Sequence, residues 1–502
     1  MRRFPNVILA PCLCAAVLGL TAASHSPVPD RTIGPPQPVA PAPSPRQVEW
    51  HGREYYGFLH FGPNTFTDRE WGTGAEDPAQ FAPSALDARQ WARVAREAGM
   101  SGLILTAKHH DGFCLWPTRY TDHSVRRSPW KGRGGDVVGD LARACREEGL
   151  AFGVYLSPWD RHHAEYGRPG YLGFYRAQLR ELLTGYGPLF EVWFDGANGG
   201  DGYYGGARET RRIDNTTYYD WPTTWDIVRA LQPRAVMFSD AGPDVRWVGN
   251  EKGVAFEDVW YGLDRQGLYP GRPDYASAFA AGRIDAPDWV PPEVDVSIRP
   301  GWFHHPAEDS QVKSVEALVD IYEQSVGRGA SLLLNVPPDR RGLIPEVDAE
   351  RLRAFRRRLD AMFRTNLARG ARAVASEVRG DAPRFAATAV LDDDPETYWA
   401  AGDEATSGWV EITPRAPARF DCVVLQEPIG LGQRVQGWTI EAHADGTWHR
   451  IAGGGSIGRK RIVKVETVTA DRVRVTITRA RACPAISTVA LYRTGARPAV
   501  QP

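Results

Sequence analysis

Polar and aromatic side chains collect at the ends of a few short apolar runs. Gly57-Phe58-Leu59-His60-Phe61 sets Phe58 and His60 two residues apart, on one face of an extended segment. Leu103-Ile104-Leu105-Thr106 leads into Lys108-His109-His110-Asp111. Phe190-Glu191-Val192-Trp193-Phe194 leads into Asp195-Gly196, with Trp193 and Asp195 again sharing a face. A carboxylate directly after a buried strand and before Gly is set to meet a ligand; the alternative is a helix N-cap or a loop turn. Adjacent histidines on a regular strand point to opposite faces and chelate one metal badly. His109 and His110 therefore read as hydrogen-bonding groups for ligand hydroxyls, from a strand end that departs from regular pleating. A single buried core histidine is the alternative. The cysteines show no CxxC pair, so no zinc site and no cofactor are expected.

The runs that carry these groups alternate with amphipathic stretches. Strands are expected at 57–61, 103–106, 152–156, 190–194, 235–238 and 332–334. Helices are expected at 87–99, 136–148, 171–183, 224–231, 312–326 and 345–363. Near-continuous apolar strands separated by helices mean parallel strands covered on both sides. This number of repeats predicts an α/β chain built on a (β/α)8-like barrel, whose chemistry lies at the C-terminal strand ends. Residues 251–303 are irregular and leave the sixth and seventh strands unplaced. From about Arg369 the texture shifts to Val, Thr and Ile with Gly and Pro breaks, as in 422–425 and 473–477. An all-β sandwich is expected there.

At 502 residues the chain holds about three units at roughly 150 residues each. Sixty Lys+Arg against 61 Asp+Glu argue against a nucleic-acid partner and against a polybasic membrane binder. The 17 Trp are rich in flat faces that suit sugar C–H surfaces, though aromatic core packing accounts for them equally. Arg2, Arg3, the apolar run 7–20 and the small residues 21–24 read as an export signal. It is too short for a confident span and follows a poor lipid-anchoring pattern, so a periplasmic or secreted destination is expected. The organisation expected is a signal at 1–24, a Pro-rich tether at 25–46, the barrel at 47–365 and the sandwich at 366–502. Of the four cysteines beyond the signal, Cys422 and Cys483 could form a disulfide; four free buried thiols are the alternative.

Several motifs fall in a telling order: Gly57-Phe58-Leu59-His60-Phe61-Gly62, Glu70-Trp71, Lys108-His109-His110-Asp111-Gly112-Phe113, Trp116-Pro117-Thr118, Trp193-Phe194-Asp195-Gly196 and Leu334-Asn335-Val336. The set resembles the α-L-fucosidases of glycoside hydrolase family 29 over residues 48–365. The segment 239–244 with Gly249-Asn250-Glu251 resembles the branch acting on α-1,3/1,4-linked fucose. The resemblance implies retaining hydrolysis of Lewis-type glycans through a covalent glycosyl-enzyme. Two carboxyl groups about 5–5.5 Å apart would act as nucleophile and acid/base. Asp195 matches the nucleophile. Glu251 is taken as the acid/base, with Glu257 and Asp244 as alternatives.

By the same matching, His60, His109, His110 and Glu70 would hydrogen-bond fucose hydroxyls, and Trp71, Trp116 and Tyr155 would line the pocket. Phe58 and Trp193 would wall off the C6 methyl. An apolar wall gains about 1–3 kcal/mol from a methyl and leaves an added hydroxyl unpaired. For each Trp, ordinary core packing is the alternative. Leu391-Asp392-Asp393-Asp394-Pro395-Glu396-Thr397-Tyr398-Trp399 resembles the F5/8-type-C, galactose-binding-like sandwiches, whose acidic turn either binds calcium or caps a loop. A fucose-binding lectin-like protein without catalysis, or another retaining glycosidase on the same barrel, are the competing readings. The oligomeric state is not legible.

Overall fold

The computed structural model describes residues 33–495. The expected export signal, with Cys12 and Cys14, lies outside these residues. Eight parallel strands close into a barrel: β1 (Tyr55–Leu59), β2 (Gly102–Lys108), β3 (Ala151–Leu156), β4 (Glu191–Trp193), β5 (Val236–Ser239), β6 (Val245–Trp247), β7 (Pro292–Ser297) and β8 (Ser331–Asn335). Each pairs with the next, and β8 returns to β1 with Tyr55 opposite Leu332.

The helices form where the sequence supplies both caps and stripes. The helix Ala88–Glu97 starts at Asp87, whose carboxylate accepts from the Arg89 and Gln90 amides, and it buries Trp91, Val94 and Ala95. The helix Val137–Glu147 starts at Asp136, which accepts from Gly139 N. Gly99 and Gly149 follow these helices at φ of +79° and +72°, a conformation that favours glycine and turns the chain into the next strand. Two apolar cores result. One lies between strands and helices, around Trp91, Leu105, Leu141, Leu179 and Leu352. The other fills the barrel interior with Tyr56, Phe58, Ile104, Tyr155, Trp193, Phe238 and Leu333.

The strands that the sequence left unplaced are β6 and β7. The connection from β5 to β6 covers only residues 240–244 and holds no helix, so the β/α rhythm fails there. The excursion from β6 to β7 carries a two-stranded ribbon and one short helix at Tyr275–Ala278. β1 also ends at Leu59 rather than Phe61, which puts His60 just beyond the strand.

Residues 372–492 form the all-β domain, with antiparallel sheets of five and three strands. Their shared core includes Trp399, Phe420, Trp438 and Ile440. Barrel and sandwich belong to one compact unit. Gln433 Nε2 donates to Val259 O at 2.9 Å, Gln433 Oε1 accepts from Tyr261 N at 3.0 Å, and Lys460 pairs with Glu54 at 2.6 Å.

One expectation changes, and two open alternatives are resolved. The tether does not run free to residue 46. Val39 N donates to Leu431 O, and Arg434 and Arg481 donate to the carbonyls of Gln37 and Ala40. Extended Pro-rich backbone leaves its carbonyls open to such donors, and a helix then begins at Pro45. Cys422 and Cys483 are not bridged; all four described cysteines are free and buried. The acidic turn caps itself: Asp392 accepts from Asp394 N and from the Thr397 hydroxyl, and Asp394 accepts from Glu396 N. Among the described residues no group of three or more His, Cys, Asp or Glu is set to hold a metal ion.

Candidate active site

The C-terminal strand ends open onto a cavity of about 340 Å³. From β1 and its extension come Phe58 and His60. The Asn335 amide fixes the His60 ring. Its Nδ2 donates to Ser297 Oγ and to Trp302 O, so its Oδ1 accepts from His60 Nδ1 at 2.9 Å. His60 Nε2 is left as an acceptor. Burial lowers the His60 pKa to about 3, so the ring is neutral.

β2 ends irregularly. Thr106 pairs with Tyr155, but Lys108 pairs with Leu156, so Ala107 is an extra residue. The Lys108 ammonium turns into the protein, to Asp160 and Gln178 at 3.1 Å each. His109 and His110 then both line the cavity, their ring centres 4.1 Å apart. His110 Nδ1 donates to Ser157 Oγ at 2.8 Å, since that hydroxyl itself donates to Trp159 O. Its Nε2 lies 3.8 Å from Asp195 Oδ2. Burial holds both pKa values below the usual histidine range, with Asp195 opposing at His110. His109 Nδ1 is buried without a hydrogen-bond partner among the described residues, a group that a ligand hydroxyl would satisfy.

Asp195 stands just past β4. Its Oδ1 accepts from Ala197 N at 2.6 Å and its Oδ2 from Tyr155 Oη at 2.9 Å, which aims the carboxylate across the cavity. Gly196 beside it leaves room for Asp240, whose Oδ2 would lie 2.7 Å from a Cβ there.

Glu251 sits at the rim, its Oε2 accepting from Trp302 Nε1 at 3.2 Å. Its pKa is raised, first by partial desolvation. The Trp302 hydrogen bond opposes this, and the charges of Asp195 and Glu70 add to it. Glu70 accepts from the amides of Trp302 and Phe303 and from His305, which pins the loop after β7 over the site. Trp71, half exposed, packs edge-on against His110.

The Asp195 carboxyl group shares the cavity with a partly desolvated carboxyl whose proton is retained to higher pH, amid neutral imidazoles and aromatic faces. Such a site suits hydroxyl-rich, uncharged ligands and paired nucleophile and acid/base chemistry. The α-L-fucosidase family model matches residues 40–361, and the F5/8 type C domain model matches residues 372–489. The chain belongs to the α-L-fucosidase family. The Arabidopsis thaliana α-L-fucosidase 1 is 43% identical over 91% of this chain and 88% of its own. A glycoside hydrolase 29 family member from an unknown rumen bacterium is 43% identical with a TM-score of 0.80, over 93% of this chain and 80% of the other. A Ruminococcus gnavus glycoside hydrolase 29 fucosidase, solved in complex with fucose, is 32% identical with a TM-score of 0.83, over 92% and 96%.

Within this family member the cavity gathers Phe58, His60, Glu70, Trp71, His109, His110, Tyr155, Trp193, Asp195 and Glu251. Trp116 is elsewhere. Its side chain is buried in the core outside the barrel and its Nε1 donates to Glu181 at 2.9 Å, so packing is its role. The alternatives to Glu251 also fall away from the cavity. Asp244 is tied to Arg46 and Arg229, and Glu257 to Arg328 and Arg461. Three lining residues were not anticipated: Ala197, Asp295 and Trp302. Asp295 is buried, accepts from Trp247 Nε1 at 2.9 Å, and is pushed well up by burial and by neighbouring Glu251 and Glu293. Larger cavities, of about 400 and 440 Å³, lie at the N-terminal ends of β3 and β4 and against the sandwich; neither brings two unpaired carboxylates together.

Proposed function

We propose that the protein is an exported, retaining exo-α-L-fucosidase that removes terminal α-1,3/1,4-linked L-fucose from Lewis-type glycans. The observation carrying this reading is that Asp195, held by Tyr155 Oη and Ala197 N, lines one pocket with Glu251, whose pKa is raised by partial desolvation. Asp195 attacks the anomeric carbon while Glu251 gives its proton to the departing glycosidic oxygen. Asp195 is then esterified to the sugar. Glu251, now ionised, takes a proton from water, which attacks the same carbon and frees Asp195 with retained configuration. The donors on Asp195 hold it in line. His60, His109 and His110 meet sugar hydroxyls as neutral rings, while Phe58 and Trp193 face the C6 methyl. The fucose complex of the Ruminococcus gnavus relative supports the sugar class. The resemblance of 239–244 and 249–251 supports the linkage. Purified protein is expected to release fucose from a branched Lewis-type trisaccharide much faster than from an aryl α-L-fucoside. Release from neither sinks the reading, and preference for the aryl glycoside sinks the linkage assignment. Fractionation of the native cells is expected to find the chain outside the cytoplasm.

A further inference from the structure

Beneath the sugar pocket the barrel interior holds two acids that the proposed reaction does not use. On β4, Glu191 and Trp193 alternate with Val192; on β7, Glu293 and Asp295 alternate with Val294. Glu191 and Glu293 thus point inward one layer below the pocket, and both are fully buried. Burial drives both pKa values up, and the Glu293 charge adds to this at Glu191. Glu293 Oε1 accepts from Trp193 Nε1 at 2.8 Å, and Glu293 Oε2 accepts from Tyr56 Oη. Trp50 Nε1 donates to Glu191 at 2.9 Å.

Buried carboxyls are costly, and an apolar barrel centre would pack without them. Their effect falls on Trp193. That indole is stacked on Phe238 at 4.1 Å and 9°, and near-parallel to Tyr155 at 5.3 Å. Stacking fixes the plane of a ring but lets it slide within that plane. The N–H bond to Glu293 removes that freedom and sets where the indole edge meets the pocket beside Phe58.

We propose that Glu293 is a positioning residue: by fixing the Trp193 indole it sets how sharply the pocket separates a 6-deoxyhexose from its 6-hydroxylated counterpart. The proposal rests on the α-L-fucosidase reading above. Its test compares kcat/KM on an aryl α-L-fucoside and the matching aryl α-L-galactoside, which differ only by the C6 hydroxyl. Glu293→Leu removes both acceptor oxygens, including the one that holds the Trp193 N–H. The expected result is a fall of about tenfold in the fucoside-to-galactoside ratio, carried mainly by the fucoside KM. In a Trp193→Phe background, which lacks the indole N–H, the same change is expected to alter the ratio less than about twofold. An unchanged ratio overturns the proposal. So does an equal loss on both substrates, or the same fall in the Trp193→Phe background. Should Glu293→Leu fail to fold, Tyr56→Phe loosens Glu293 from below and is expected to lower the ratio about threefold; no change in it overturns the proposal equally. A wild-type protein that released fucose from neither the aryl glycoside nor a branched Lewis-type trisaccharide would instead defeat the α-L-fucosidase reading.

Discussion

Glu251→Ala separates the proton donor from the rest of the pocket. Four carboxyl groups reach the cavity: Glu70, Asp195, Glu251 and Asp295. Glu70 is occupied by two backbone amides and His305, and Asp295 lies deeper, held by Trp247. Glu251 alone combines a rim position with a pKa raised by partial burial and by nearby Asp195. A positioned general acid contributes about 10²–10⁴-fold when the leaving group needs a proton. A sugar alcohol needs one and 2,4-dinitrophenolate does not. Glu251→Ala is therefore expected to slow glycan hydrolysis by about 10²–10⁴-fold while leaving glycosylation by the dinitrophenyl α-L-fucoside within a few-fold. The comparison is made on kcat/KM across pH. Wild type is active with Glu251 protonated, so its activity falls as pH rises through the Glu251 pKa, which partial burial raises from its ordinary value. That basic limb is expected to vanish in the variant, and azide to restore turnover as a fucosyl azide of retained configuration. An equal loss on both substrates, or a persisting basic limb, refutes the assignment. If Asp295→Asn reproduced the leaving-group dependence instead, the acid would be Asp295.

Trp302→Phe removes the donor that favours the ionised form of Glu251, so the basic limb of kcat/KM is expected to move to higher pH; a downward shift contradicts the sign worked out here. Tyr155→Phe strips one of two donors from Asp195, and a charge-assisted bond worth about 1.5–3 kcal/mol predicts a kcat loss of about tenfold or more. Unchanged kcat would mean that Tyr155 only lines the pocket. Trp116→Phe is expected to leave kcat and KM within about twofold while costing about 1–2 kcal/mol in denaturant unfolding, because the buried bond to Glu181 is lost. A large KM effect would return Trp116 to the sugar site.

What the sequence made legible follows from local physics. Asp87 and Asp136 before amphipathic stripes, with Gly99 and Gly149 after them, mark helices to within one or two residues. Phe58, Trp193 and Asp195 reach the pocket because strand alternation fixes their face. His109 and His110 defeat simple alternation, since the extra residue at Ala107 turns both toward the cavity. β6 escaped notice because three residues after a five-residue connection carry no periodic signal. β7 escaped because its inward positions are Glu293, Asp295 and Ser297, which reads as a polar loop. The signal was present as alternation with Val294, Val296 and Ile298, and weighing it would have exposed Asp295. Trp116 was misplaced because residue type cannot separate an indole facing a sugar from one facing a core.

The central claim is that Asp195 forms the covalent bond to the sugar. Incubation with a slow-turnover 2-deoxy-2-fluoro fucosyl fluoride, followed by peptide mass spectrometry, tests it most directly. The account predicts one fluorosugar adduct per chain, on the peptide carrying Asp195, absent from Asp195→Gly. An adduct on a peptide carrying Glu251, Asp295 or Glu70, or an Asp195→Gly variant that still labels and turns over, would contradict it.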